Sequence, residues 1–248
     1  MTSSKPLVNF QEYILKVLKQ IHPDLNISKN VKSQINSFLN VLGEKIAEKS
    51  SFLSNSSMSV IKRKTKKESL EKPVNKNKQH TIRIKDIQSA SAIIFGLYNL
   101  LYTHAKSEGT KAVNKYLLTT SGSKTEHISR TKRAKLLFSV SRVEKMLRMS
   151  HNGRVANLAC VYLSAILEYI TAEILELAGN NSKLLKRTTI SSRSLMHIMQ
   201  DDEEINNLTT KINWRVIGGG VIPHIHAKLL PKEKTKINIP KIKIIKHE

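Results

Sequence analysis

The sequence predicts an all-α protein made of two consecutive helical units of the same design. A short, a long and a short helix, with one short extended segment in each connection, can be read twice along the chain. The stretch 155–179 contains no proline and is apolar around most of its circumference. Such a stretch must be a central helix that other helices cover on most sides.

The first unit is predicted over residues 10–118, after a short N-terminal segment at 1–9. Apolar positions at helical spacing indicate a helix over 10–21 and a second helix over 28–53, for which Ser28 is the N-cap. Residues 54–80 show neither helical nor strand periodicity and are rich in serine, asparagine and lysine. This composition predicts a basic insertion in a loop. A short extended segment at 81–84 and a short helix at 85–94 follow. A two-part helix at 96–118, interrupted near 107–110, completes the unit.

A polar linker is predicted at residues 119–131, and the second unit spans 132–231. Its elements are a short helix at 140–149, the long helix at 155–179, an extended segment at 188–190 and a short helix at 193–199. An acidic run at 201–204 precedes an irregular docking segment, assigned to 205–231. Residues 232–248 form a basic C-terminal tail.

The charge of the chain predicts a polyanionic partner. It contains 42 lysine and arginine residues against 19 aspartate and glutamate residues, for a formal net charge of +23. Nucleic acid is the leading candidate. Aromatic residues make up only 5% of the chain, which counts against binding of single strands by base stacking and favours a duplex.

The chain is expected to be intracellular rather than secreted. Its one cysteine, Cys160, lies within the long apolar stretch, which indicates a buried side chain in a reducing compartment. No apolar run of signal-peptide length opens the sequence. Three carboxylates in the 155–179 stretch argue against a membrane span.

Both units resemble core histones. From Ser129 onwards the chain resembles core histone 2A through RAKLLFSVSRVEKMLR, RVANLACVYLSAILEYITAEILELAGN, DDEEINNL and GGVIPHIHAKLLPKEK. The first half resembles core histone 2B through EYILKVLKQIHPDLNIS, INSF and HAKSEGTKAVNKY. The resemblance implies two tandem histone folds that form an intramolecular handshake heterodimer, a doublet of the kind known from giant DNA viruses. Fusion would hold the two partners at a high effective concentration.

The resemblance also implies the function of a structural DNA-packaging protein, without cofactor or catalysed reaction. The expected partners are double-stranded DNA, histone 3 and 4 equivalents that are also fused, and a second copy of the chain in an octamer-like particle. The expected location is the viral particle and the host nucleus or viral factory. One alternative is a histone-fold transcription regulator that binds DNA without octamers. A metal-dependent nuclease is a weaker alternative, because the acids lack metal-ligand spacing and the pair His224 and His226 has no further ligand nearby.

By resemblance, a set of mostly basic residues faces DNA through phosphate and minor-groove contacts without base preference. The set is Ser28, Lys29, Lys78, Arg83, Lys85, Arg133, Arg142, Lys145, Arg148, Arg154, Lys183, Lys186 and Arg187. Each of them alone could be an ordinary solvated charge, but their concentration at connections favours phosphate contact and predicts a steep salt dependence. Thr189 and Gln79 stand where the family has arginines that enter the minor groove. We therefore expect DNA to be bound more weakly at these two positions than in the family.

A second set of residues is acidic and corresponds by resemblance to the patch on which chromatin proteins dock. The set is Glu108, Glu168, Glu173, Glu176, Asp202, Glu203 and Glu204. Clustered carboxylates suit bidentate arginine. Leu100 replaces one acid of the family's patch. The alternative is a solvent-facing helix edge whose acids reduce the self-repulsion of a basic protein.

Overall fold

The computed structural model describes residues 7–65, 80–96, 99–122 and 128–220, with side chains for all of these except 56–65 and 120–122. The elements of the first half are α1 (Gln11–Ile21), β1 (Asn26–Ile27), α2 (Lys29–Thr65), β2 (Thr81–Ile82), α3 (Ile84–Phe95) and α4 (Leu100–Gly122). Those of the second half are α5 (Arg130–Arg133), α6 (Val140–Ser150), β3 (Arg154–Val155), α7 (Asn157–Leu184), β4 (Thr189–Ile190), α8 (Ser192–Asp201) and α9 (Glu203–Ile212).

Among the described residues, two short parallel strand pairs join the halves. In the first, β1 pairs with β4, so that Asn26 lies opposite Thr189. In the second, β2 pairs with β3, so that Thr81 lies opposite Arg154. The helix α2 therefore starts at the first pair, whereas α7 starts at the second pair and ends at the first. Each half thus depends on the other to satisfy the backbone of its connections.

The core is shared between the halves and centres on α7. This helix contacts α4, α1, α6, α8, α3 and α2. Aromatic side chains link the two halves: Phe10 stacks on Phe138 with ring centroids 5.3 Å apart, and Phe38 meets Trp214 edge to face at 5.2 Å. Length and composition would let α7 cross a membrane, but 72% of its most apolar window is buried inside the protein. It is therefore packed as the core helix of a folded domain.

The second helix is longer than its apolar stripe predicts. It continues to Thr65, so the prediction of a loop is wrong for residues 54–65. Serine hydroxyls just before and at the start of this stretch bond back to the preceding turn: Ser50 Oγ donates to the Ile46 carbonyl at 2.6 Å, and Ser54 Oγ donates to the Ser51 carbonyl at 2.9 Å. These bonds satisfy the serine hydroxyls inside the helix. No apolar periodicity in the sequence reveals that the helix continues past residue 53.

The predicted interruption of the fourth helix at 107–110 is also wrong. The helix runs unbroken from Leu100 to Gly122, and Gly109 is buried within it. A Cβ atom at Gly109 would lie 2.6 Å from Cε2 of Tyr162. Glycine at this position lets α4 approach α7 closely and does not break the helix. Because α4 reaches Gly122 and α5 begins at Arg130, both ends of the predicted linker 119–131 are helical.

Further differences lie in the second half. Arg154 and Val155 form β3, so α7 begins at Asn157, and it ends at Leu184 rather than at residue 179. The first part of the predicted irregular segment 205–231 is the helix α9. Its acidic start is an N-cap, since Asp202 Oδ1 accepts a hydrogen bond from the Ile205 amide at 2.8 Å.

Candidate nucleic-acid interface

The first strand pair brings two helix N-termini together. The Ser28 amide donates to the Ile190 carbonyl at 3.1 Å, and α2 and α8 start directly after these connections. Ser28 Oγ and Ser191 Oγ cap the two helices, accepting from the Val31 and Ser194 amides at 3.3 Å each. Unpaired N–H groups at two adjacent helix starts create a positive potential that suits a phosphate group.

The second strand pair repeats this arrangement with α3 and α7. The Arg154 amide donates to the His80 carbonyl at 2.9 Å, and the Ala156 amide donates to the Ile82 carbonyl at 3.0 Å. The Arg83 amide donates to Asp86 Oδ2 at 2.8 Å, which fixes the residue before α3 and places a carboxylate in its first turn. We call the surface around each strand pair a corner. The first corner lies at β1 and β4 and the second at β2 and β3, and both halves contribute to each.

The predicted DNA-facing residues fall into three groups. Around the first strand pair lie Ser28, Lys29, Lys183, Lys186 and Arg187, and around the second lie Arg83, Lys85 and Arg154. The third group is on α5 and α6 and consists of Arg133, Arg142, Lys145 and Arg148. Lys78 and Gln79 lie outside the described residues. Six of these residues have exposed side chains: Lys29, Arg83, Lys85, Arg154, Lys186 and Arg187.

Lys183 and Arg142, both predicted to face DNA, have side-chain partners within the protein at these surfaces. Lys183 Nζ lies 3.3 Å from Asp24 Oδ2 across the first strand pair. The pKa of Asp24 is lowered, first by a backbone hydrogen bond and then by Lys183. Arg142 donates to the Asn9 carbonyl and lies over the ring of Tyr13, with its guanidinium carbon 5.0 Å from the ring centroid. It therefore also links α6 to the first half.

Glu144 forms an ion-pair network on α6 that the sequence did not reveal. Its carboxylate lies 2.5 Å from Arg130 and 2.7 Å from Arg148. Hydrogen bonds from these two guanidinium groups hold the pKa of Glu144 below its ordinary value of 4.5. Because Arg148 is a predicted DNA-facing residue, Glu144 offsets part of the positive charge of α6. Its i, i+4 spacing from Arg148 is the signal that could have predicted the pair.

Two acids of the predicted docking surface bind backbone amides instead. Glu168 Oε2 accepts from the Leu137 and Phe138 amides at 2.7 and 2.8 Å. Burial raises the pKa of Glu168, and the two backbone hydrogen bonds partly offset this effect. The two carboxylate oxygens of Glu204 accept from the Leu100 and Leu101 amides at 2.9 and 2.7 Å, which caps α4 across the interface between the halves.

The other acids of the predicted surface differ in accessibility. Burial raises the pKa of Glu173, which also hydrogen-bonds Tyr169. Glu108 is paired with Lys111 at 2.7 Å. Glu176 and Glu203 are exposed, and Asp202 caps α9. Within the described part of the chain, no group of three or more histidine, cysteine, aspartate or glutamate side chains is arranged to hold a metal ion; His224 and His226 lie outside it.

Cys160 is fully buried, as predicted, and burial raises the pKa of its thiol to about 12. It is therefore a core side chain and not a reactive nucleophile.

The helical core with cross-paired connections defines a protein of the histone-fold class. Residues 119–200 match the family described as the core domain of histones 2A, 2B, 3 and 4, and residues 218–237 match that described as the C-terminus of histone 2A. The chain is also similar to variant 1 of histone 2A from Arabidopsis thaliana, with 49% identity over 111 residues, which are 44% of this chain and 79% of the relative. The chain therefore belongs to the histone 2A family through its second half.

Proposed function

We propose that this chain is a fused histone doublet, a 2B-like half followed by a 2A-like half, that packages duplex DNA. The observation that carries the proposal is the cross-pairing of connections, in which β1 pairs with β4 and β2 pairs with β3. This is the arrangement expected when two histone folds clasp each other in a handshake. The α2 and α7 helices, which start at opposite strand pairs, would be the two central helices of that handshake.

Duplex DNA is the partner that best fits the two corners. Each corner combines two helix N-termini with exposed cations, among them Lys29 at the first and Arg83 and Arg154 at the second. These groups recognise phosphate and carry no information about base sequence. The proposed contacts are therefore non-sequence-specific phosphate and minor-groove contacts, as in eukaryotic nucleosomes.

A groove beside α2, with apolar side chains and a charged rim of Lys45, Glu48, Lys49 and Lys211, supports a further protein partner. Phe52 and Ile93 line it and are 65% and 50% exposed. Ile94, on α3, and Ile212, on α9, complete its apolar lining. We assign this groove to a histone 3 and 4 equivalent, itself fused, because the corresponding end of the 2B fold packs on histone 4 in the family. A second copy of both doublets would complete an octamer-like particle.

The proposed location follows from this function. A packaging histone acts where DNA is stored, and the relative from Arabidopsis thaliana is a variant of histone 2A. We therefore propose nuclear chromatin or, for a doublet of viral origin, the viral factory and particle. The alternative of a transcription regulator without octamers predicts binding to short DNA without a histone 3 and 4 partner.

Salt titration of duplex binding tests the DNA interface. The variant Lys186→Gln/Arg187→Gln removes two exposed cations at the first corner, and its matched control is Lys106→Gln/Lys111→Gln on α4. The slope of log affinity against log salt should become less negative by about 1.8 for the first variant, since each lost phosphate contact contributes about 0.9. The control should keep the wild-type slope. Equal slopes for the two variants, or a strong preference for one sequence among unrelated duplexes, would contradict the proposal.

A further inference from the structure

Two adjacent leucines project from the first corner. Leu184 is 82% exposed, more than any other large apolar side chain that the structure describes, and Leu185 is 51% exposed. Single exposed leucines are common on soluble proteins and need no explanation. Leu184 and Leu185 are adjacent at the turn that ends α7, with Lys183 before them and Lys186 and Arg187 after them.

The turn that carries the pair is fixed by backbone hydrogen bonds. The amides of Leu185 and Arg187 donate to the carbonyls of Asn181 and Ser182, at 3.1 and 2.9 Å. Lys186 has a φ of +53°, the left-handed conformation that ends a helix. The two leucines are therefore presented by a structured helix end, so little entropy would be lost in placing them against a partner.

The surroundings of the pair indicate an anionic partner. Lys183, Lys186 and Arg187 flank it in sequence and are exposed, and of these Lys183 is paired with Asp24 at 3.3 Å. The strand pair β1 and β4 places Lys29 and the start of α2 at the same corner. A polyanion complements these cations better than a second copy of a chain with net charge +23.

The small size of the leucine pair favours duplex DNA over a protein or a membrane as the partner. Two leucines are too few for a stable protein interface or for the broad apolar face of a membrane-surface helix. One or two apolar side chains are, however, sufficient to enter the minor groove and separate two base pairs of a duplex. Cations beside the wedge would hold the flanking phosphates.

We infer that Leu184 and Leu185 form an apolar wedge that enters the minor groove of bound duplex DNA and partly unstacks one base step. This inference rests on the proposed duplex binding. Flexible pyrimidine–purine steps such as TA should be favoured at the contact, because they unstack at the lowest cost.

Permanganate oxidation of unstacked thymines tests the wedge on a short duplex with one central TA step. The full chain should raise thymine reactivity at that step. Leu184→Ala/Leu185→Ala should abolish the increase, while its affinity at low salt stays within about threefold because the phosphate contacts remain. Leu184→Met/Leu185→Met should retain the increase. The matched control Leu100→Ala/Leu117→Ala, which truncates exposed leucines on α4, should behave as wild type.

The outcomes separate the wedge from duplex binding itself. Wild-type binding without increased thymine reactivity, or equal reactivity with the alanine variant, would overturn the wedge and leave DNA packaging intact. A wild-type chain that does not bind the duplex would overturn both. Leucine-dependent binding to phosphatidylserine vesicles, with no leucine-dependent thymine reactivity, would overturn the wedge in favour of a lipid surface.

Discussion

At the residue scale, neighbouring carboxylates in the sequence have different structural roles: some accept backbone hydrogen bonds and others are exposed to solvent. Glu203 and Glu204 are adjacent acids in one run, yet only Glu204 accepts two backbone hydrogen bonds from the start of α4. Glu168 serves a similar purpose for the segment before α6. These two acids connect elements, so fewer carboxylates are left to bind a docking partner than the sequence suggests.

Replacing Glu204 tests its capping role. Glu204→Gln removes the charge and one of the two acceptors at the start of α4, and should lower the free energy of unfolding by about 1–2 kcal/mol. Glu203→Gln, at an exposed position next to it, should change stability by less than about 0.5 kcal/mol. Chemical denaturation of both variants measures the difference. Equal effects of the two substitutions would show that the Glu204 cap contributes nothing specific.

Because of the ion pairs of Glu144, we expect the free energy of unfolding to decrease at acid pH. Since its pKa in the folded protein lies below the ordinary value of 4.5, its contribution to stability is complete above pH 4.5 and is lost as pH falls through the folded-state pKa. Wild type should therefore exceed Glu144→Gln in unfolding free energy by about 1 kcal/mol at neutral pH. The difference should shrink below pH 4.5. A constant difference across that range would refute the ion-pair account.

At the element scale, sequence periodicity located helices well where one face is apolar and less well elsewhere. The helices α1, α3, α6 and α8 lie within about two residues of their predicted bounds. The last part of α2, up to Thr65, has no apolar periodicity in its sequence. In α9, by contrast, Ile205, Leu208 and Ile212 stand at helical spacing, and this pattern could have predicted the helix. The role of Gly109 depends on Tyr162, a residue of the other half, and no local pattern could reveal it.

Adding one methyl group tests the close approach of α4 and α7. Gly109→Ala would place Cβ 2.6 Å from the Tyr162 ring. Overpacking should outweigh the gain in helix propensity and lower the free energy of unfolding by about 1–2 kcal/mol. Ser107→Ala, at an exposed position of the same helix, should be neutral or slightly stabilising. Thermal unfolding compares the two, and a stabilised Gly109→Ala variant would contradict the packing.

At the scale of the whole molecule, the two halves share one core and contact each other at several further places. The segment after α9 is held to α2 by Gln34, whose amide nitrogen donates to the Ile217 carbonyl at 2.7 Å and whose oxygen accepts from the Ile217 amide at 3.2 Å. Trp214 packs on Phe38 in the same region. The sequence predicted an irregular docking segment here but could not predict that it packs on α2.

Because Trp214 is the only tryptophan of the chain, its fluorescence reports on this attachment. Gln34→Ala should leave the Ile217 backbone without its partner and release the segment at lower denaturant concentration than the helical core, as measured by tryptophan emission against circular dichroism. In the wild-type chain the two signals should change together. Coincident transitions in the variant would show that Gln34 does not hold the segment.

The central claim is that both halves of this one chain act together as a DNA-wrapping histone pair. The most direct test mixes the chain with a fused histone 3 and 4 protein and long duplex DNA, then measures particle mass and the length of DNA that resists nuclease. The account predicts a particle with two copies of each doublet that protects on the order of 100 base pairs or more, with ends more accessible than in eukaryotic particles. Protection of only a few tens of base pairs, without incorporation of the histone 3 and 4 protein, would contradict it.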